Sequence, residues 1–356
     1  MKVLITGVCG FVGSTLAESL LVAQPDWTIL GLDNLSRPGS EINRSRLQKR
    51  GVIFRHGDLR QASDLEAFKE VDWVIDAAAN PSVLAGIDGT TSSRQLVEHN
   101  LIGTVNLLEF CRSRKAGFIL LSTSRVYSIP PLAGLPLKVV QGAFQLDDSA
   151  ALPVGISQAG VNEAFSTAAP VSLYGATKLA SEALALEYFH SFEVPVWINR
   201  CGVLAGAGQF GHPAQGIFAY WIHAHKHRRP LKYIGFGGTG YQVRDVLHPK
   251  DLTDLLVKQM AEPLASVRPR LLNIAGGIKS SMSLRQLTAW CDERFGIHAV
   301  AADLQPRPLD IPWMVLDASL AEQVWGWHPQ RTLEFIWRDL AEHAEQNPGW
   351  LDLARA

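Results

Sequence analysis

The chain has 356 residues, 47% of them hydrophobic and 19% charged, enough to bury the cores of about two domains. A formal net charge of −1 supplies no basic surface for nucleic acid or for an anionic membrane. No apolar run approaches the roughly 18 residues of a membrane-spanning helix, and Met1 to Gly7 lead straight into a strand-and-glycine pattern with no signal peptide expected.

In chain order, Val3–Thr6 reads as a strand, Phe11–Ala23 as a helix stopped by Gln24 and Pro25, and Trp27–Asp33 as a second strand. Val52–His56 and Val71–Ala79 read as the third and fourth strands. Leu96–Arg114 has helical periodicity, Phe118–Ser122 is a fifth strand, Leu173–Phe189 a helix and Val194–Asn199 a sixth strand. The strands are near-continuous apolar runs, as expected when helices cover both faces, so the fold class is α/β with a Rossmann-type, doubly wound parallel sheet. Two stretches break this rhythm. The segment 127–170 is long, rich in Pro and Gly and weakly periodic, which predicts a lid or binding loop. After Arg200 the pattern is irregular around helices expected at Ala214–Arg228 and Ser283–Phe295. The expected division is a dinucleotide-binding domain over 1–199 with an added segment near 241–262, and a smaller mixed α/β substrate domain over 200–240 and 263–356.

Gly7, Gly10 and Gly13 fall between the first strand and the first helix. A glycine turn there lets backbone approach a pyrophosphate at a helix N-terminus. Asp33 ends the second strand about 20 residues later, where a carboxylate takes ribose hydroxyls and repels a 2′-phosphate. NAD is therefore favoured, although Arg37 nearby keeps NADP open. Asp58 closes the third strand and suits either the adenine amino group or an Asx turn.

Tyr174 and Lys178 are four residues apart on an expected helix, so phenol and ammonium share a face. A free tyrosine, with a pKa of about 10, is a poor base at neutral pH. A neighbouring ammonium and a nicotinamide cation both favour tyrosinate, which would then remove a proton from a substrate hydroxyl. Ser122 and Thr123 follow the fifth strand at the sheet edge where ligands bind.

These motifs together resemble the extended short-chain dehydrogenase/reductases, the NAD-dependent epimerase/dehydratase superfamily, over nearly the whole chain. Gly208 to Phe210, Gln215-Gly216, Gln242 to His248 and Asn273 to Gly277 are most similar to the CDP-paratose/CDP-tyvelose 2-epimerase group. The resemblance implies tightly held NAD, with Phe11, Val12, Asn34, Ser36, Leu59, Ala77, Ala78, Ala79, Asn100 and Ser122 joining the cofactor residues above. It implies Thr123, Tyr174 and Lys178 as the catalytic set, and Ser82, Thr123, Arg200, Gln209, Arg244 and Arg307 around a nucleotide-diphosphate sugar, a CDP-sugar first. It also implies a homodimer built on the helices around Leu96–Arg114 and Leu173–Phe189. Two departures stand out. Asp76 replaces the usual histidine at the end of the fourth strand, and Pro312 falls where relatives carry a second phosphate-binding arginine.

The implied activity is 2-epimerisation through a keto-sugar. A 4-epimerase would use the same groups, and a sugar dehydrogenase or reductase would release its cofactor at each turnover. A 4,6-dehydratase needs an Asp-Glu pair after the threonine, where this chain has Ser124-Arg125. A non-enzymatic NAD-binding regulator would need none of Thr123, Tyr174 and Lys178. His223, His225 and His227 alternate along a helix and so point in different directions, which suits no metal. Trp313 is a candidate for stacking on a base or sugar, the other late tryptophans packing the small domain. Cys9, Cys111, Cys201 and Cys291 fit neither a disulfide framework nor a metal pattern, so a reducing cytoplasm is expected.

Overall fold

The computed structural model describes residues 1–87, 89, 92–213 and 215–353. Its main sheet has seven strands. Five are β1 (Lys2–Thr6), β2 (Thr28–Asp33), β3 (Ile53–His56), β4 (Trp73–Asp76) and β5 (Gly117–Thr123). The other two are Val196–Cys201 and Leu271–Ile274. They lie in the order Leu271–Ile274, Val196–Cys201, β5, β4, β1, β2, β3, and every pairing is parallel. Val3, Leu4 and Ile5 of β1 are all fully buried, because one apolar core lies on each side of the sheet. That two-sided burial is why β1 carries no polar alternation.

Helix α1 (Phe11–Ala23) leaves β1 through the glycine turn. It packs, through Leu16 and Leu20, in the same core as the helix Leu252–Ala261 and the segment around Trp325 and Trp327. Residues 263–356 were expected in the smaller domain, with no strand assigned at 271–274. Leu271–Ile274 instead lies beside Val196–Cys201, with Asn273 opposite Arg200, so the chain returns to the first domain after leaving it. The helix expected from Ala214 runs from Ile217 to Lys226, and Ala214 itself lies outside the described residues.

The segment 127–170 is not one long irregular loop. It folds into a short helix, Ile129–Ala133, and two hairpins, Leu137–Val140 with Ala143–Leu146 and Ile156–Ser157 with Gly160–Val161. Tyr127, Leu132, Leu146 and Phe165 are buried with Ile311, Trp313 and Leu316 in a third core. Pro and Gly mark the turns between these short elements, while the apolar residues pack inward. Trp313 is 2% exposed inside this core and does not line the cavity that holds Thr123, Gln209, Arg244 and Arg307.

A fourth core joins the helices Ile217–Lys226 and Leu333–Gln346 through Phe218, Ile222, Ile336 and Trp337. His223 and His225 are buried there, on His343 (3.1 Å) and Asp292 (2.8 Å), and His227 Nε2 meets the Ala344 carbonyl (2.9 Å). Among the described residues no group of His, Cys, Asp or Glu is arranged for a metal ion, and no helix is long and apolar enough to cross a membrane.

Candidate active site

A cavity of about 1120 Å³ follows the C-terminal ends of β1, β2, β4 and β5 and continues into the second domain. Its first end is the glycine turn. Gly7 has φ +61°, and a Cβ there would come 2.9 Å from Ala78 Cα; a Cβ on Gly13 would come 2.2 Å from the Gly7 carbonyl oxygen. The turn therefore packs backbone on backbone, which brings α1 close to the sheet. Gly10 caps α1 without a side-chain hydrogen bond, so the first N–H groups of the helix are left for an anion. Phe11, Val12, Asn34, Ser36, Leu59, Ala77, Ala78, Ala79 and Ser122 line the same end.

Asp33 lines it too, with its carboxylate accepting from the N–H of Cys9 (2.9 Å) and of Leu35 (2.8 Å). Burial raises its pKa above the usual carboxylate range. The remaining lone pairs leave room for hydroxyl donors. Asp58 is held in an Asx turn by the Arg60 N–H (2.9 Å) and gripped by the Arg60 guanidinium (2.6 Å), which depresses its pKa strongly. Arg37 donates to the Phe210 carbonyl (3.0 Å) and to Gln215. It thus ties the two domains across the cavity and is already engaged near the place a 2′-phosphate would need.

Thr123, Tyr174 and Lys178 meet where β5 ends. The helix Leu173–Phe192 starts at Ser172, whose hydroxyl accepts from the Gly175 N–H (3.1 Å) while its own φ is +78°. Tyr174 and Lys178 follow on one face, 7% and 2% exposed. The Tyr174 phenol is hydrogen-bonded to the Thr123 side chain. Burial pushes the phenol up to about 12, and Thr123 and Arg125 pull in the opposite direction. With the protein alone, Tyr174 is a neutral phenol at physiological pH.

Beyond the dyad lie Ser82, Gln209, Arg244 and Arg307. Arg244 pairs with Asp310 at 3.4 Å. Gln209 donates Nε2 to the Leu204 carbonyl (2.8 Å), leaving Oε1 buried without a partner.

Two expected site residues do not line the cavity. Arg200, expected near the substrate, is buried in an ion pair with Glu182 (2.7 Å) and donates to the Tyr127 hydroxyl (3.3 Å). Ser122 donates to the same carboxylate, and Tyr127 donates to Asn273 (2.7 Å), so Arg200 anchors a polar chain beneath the site. Asn100, expected at the cofactor, accepts from the Asn80 N–H (2.8 Å) and donates to the Asn80 carbonyl (3.1 Å). It sits in a π turn, Glu98–Ile102, and fixes the loop after β4. The cavity also takes in Gln242 and three residues that carry no motif: Arg125, Lys232 and Asp310. The visible signal for Arg125 is its place two residues after Thr123.

Residues 3–275 match the model of the NAD dependent epimerase/dehydratase family. The chain is 28% identical to the CDP-paratose 2-epimerase of Salmonella typhi, over 93% of this chain and 95% of that one. It is 25% identical to the UDP-glucuronate 4-epimerase of Thermodesulfobacterium geofontis, over 93% and 92%. The UDP-glucose 4-epimerase structure from Thermotoga maritima superposes with a TM-score of 0.76 at 21% identity, covering 98% and 99% of the two chains, a likeness of fold. With a glycine turn, an acidic β2 end and a Thr-Tyr-Lys set in one cavity, and with that match, the chain belongs to the NAD dependent epimerase/dehydratase family, and its cofactor is NAD.

Proposed function

We propose that the protein epimerises a nucleotide-diphosphate sugar by removing and restoring hydrogen at one sugar carbon, and that a CDP-sugar inverted at C2 is its first candidate substrate. The observation that carries this reading is the convergence of Thr123, Tyr174 and Lys178 with Arg244 and Arg307 in one cavity that also contains the glycine turn. Resemblance to the Salmonella typhi protein favours C2 and CDP. The 4-epimerase relative keeps inversion at C4 as the second reading, since the same groups serve both.

Tyr174 as tyrosinate takes the sugar hydroxyl proton at its phenolic oxygen and later returns it. Thr123 holds the reacting oxygen against Tyr174. Lys178, on the same helix face and lining the same cavity, would hold the nicotinamide ribose and place a cation near the phenolate. The glycine turn, Asp33 and Asp58 would hold NAD, which would supply the hydride acceptor and donor for that sugar carbon. Arg244 and Arg307 hold the diphosphate, since a guanidinium fork matches phosphate oxygens. With the diphosphate held, the keto-sugar turns over and presents its other face. Ser124 and Arg125 supply no carboxylate pair, which disfavours elimination of water.

The chain pairs as a homodimer through the helices over 93–114 and Leu173–Phe192, whose surfaces expose Val97, Ile102, Leu173 and Phe192. Sedimentation showing monomer alone at micromolar concentration contradicts this. Four free, buried cysteines suit a reducing cytoplasm.

Cofactor retention tests the epimerase reading. Freshly purified protein is denatured and the released nucleotide identified by mass spectrometry. Near-stoichiometric NAD is expected. An empty site, or NADP, favours an enzyme that exchanges its cofactor.

A further inference from the structure

After Thr123 the chain makes one turn of 3-10 helix, Ser124–Val126. The Arg125 N–H donates to the Thr123 hydroxyl (3.2 Å), so the position of Arg125 is tied to that of the threonine. Its side chain lines the cavity. Nη1 is closed to solvent and has no hydrogen-bond partner.

The charged groups near Arg125 are Arg244 and Arg307, which repel it, and Asp310, which attracts it; Tyr174 would attract it only as tyrosinate. Asp310 is already engaged. It pairs with Arg244 (3.4 Å), accepts from Gln242 (3.4 Å) and accepts from the Ile311 N–H (3.0 Å). Asp310 is thus the one carboxylate among the charged groups near Arg125, and its ion pair is with Arg244. A buried cation without its own counter-ion is costly, and burial with Arg244 nearby pulls the Arg125 guanidinium down to about 9. Such a group is stable when a ligand brings the missing negative charge. The cavity narrows the ligand further, because Arg125 lines it together with Tyr174, Arg244 and Arg307. The diphosphate end and the reacting carbon are joined by the sugar and its attached phosphate.

We propose that Arg125 is a specificity-determining residue that grips an oxyanion on the sugar side of the substrate, either the phosphate joined to the sugar or a carboxylate carried by the sugar. This rests on the nucleotide-sugar reading above. A guanidinium fork matches both anions in the same way.

The test is calorimetric titration of the NAD-loaded protein with UDP, CDP, UDP-glucose and UDP-glucuronate, repeated on Arg125→Met and Arg125→Lys. NAD content and melting temperature are recorded for each. If the anion is the sugar-linked phosphate, Arg125→Met binds every ligand that wild type binds about 10- to 100-fold more weakly. If it is a sugar carboxylate, the same loss falls on UDP-glucuronate alone. Arg125→Lys keeps the charge without the fork and falls between wild type and Met. It carries the test should the Met variant fail to fold. Unchanged affinity for all ligands, with kcat reduced and its pH profile displaced, overturns the proposal and makes Arg125 a partner of Tyr174 only. A wild type that binds none of the four overturns the nucleotide-sugar reading itself, an outcome distinct from the first.

Discussion

A Cβ on Gly175 would stand 2.2 Å from the carbonyl oxygen of Arg125. The missing side chain is what lets the helix bearing Tyr174 lie against the end of β5 and bring the phenol to Thr123. Replacing Gly175 by Ala forces the helix away, at a cost of about 1–3 kcal/mol as for other overpacked contacts. The expected outcome is a lower melting temperature and a loss of turnover larger than the loss of NAD binding. Unchanged kcat in Gly175→Ala contradicts the role given to this contact.

Tyr174→Phe keeps the ring and removes the proton acceptor. NAD content is expected to stay at the wild-type level while turnover falls by about 10²- to 10⁴-fold, the range for general acid–base groups. Lys178→Met removes the cation that opposes burial of the phenolate, so the rise of activity with pH moves to higher pH. The sign follows from the loss of a nearby cation, which disfavours the phenolate. A pH–rate profile of Lys178→Met that coincides with wild type contradicts it.

Much of the site was legible because each residue sits at a local landmark. Gly7 to Gly13, Asp33 and Thr123 mark strand ends, and Tyr174 and Lys178 begin a helix at a four-residue spacing. Arg200 and Asn100 were misplaced for a different reason. Every residue of Val196–Cys201 is buried, so nothing along the strand tells which side holds a ligand. The partner that claims Arg200 is Glu182, a position set by tertiary packing. The strand Leu271–Ile274 was not read from the sequence, because its neighbour lies 73 residues earlier in the chain. In 127–170 the elements are only two to five residues long, too short for a period to emerge.

Arg200 and Glu182 give a double-variant test of that correction. Arg200→Leu leaves the Glu182 carboxylate buried without its cation, and a loss of about 3–5 kcal/mol is expected. Arg200→Leu with Glu182→Leu should recover much of it in urea unfolding. If the single variant is as stable as wild type and only KM rises, Arg200 belongs with the substrate after all.

Acid stability follows from the second domain. Burial, with His343 and His227 beside it, lowers the pKa of His223 to about 3. The unfolded chain takes up that proton near pH 6.5, so the folded state is fully favoured above this pH and loses stability as pH falls from about 6.5 toward 3. His223→Phe removes this contribution. Melting temperatures measured between pH 4 and 8 should fall less steeply for the variant, and equal slopes contradict the assignment.

The most direct measurement is turnover without added cofactor. Purified protein is incubated with a panel of CDP-, UDP- and GDP-sugars, and the sugar proton signals are followed by NMR. One substrate is expected to give a stable mixture of two epimers with no accumulation of NADH. One-way formation of an oxidised sugar with stoichiometric NADH, or of a dehydrated one, contradicts epimerisation.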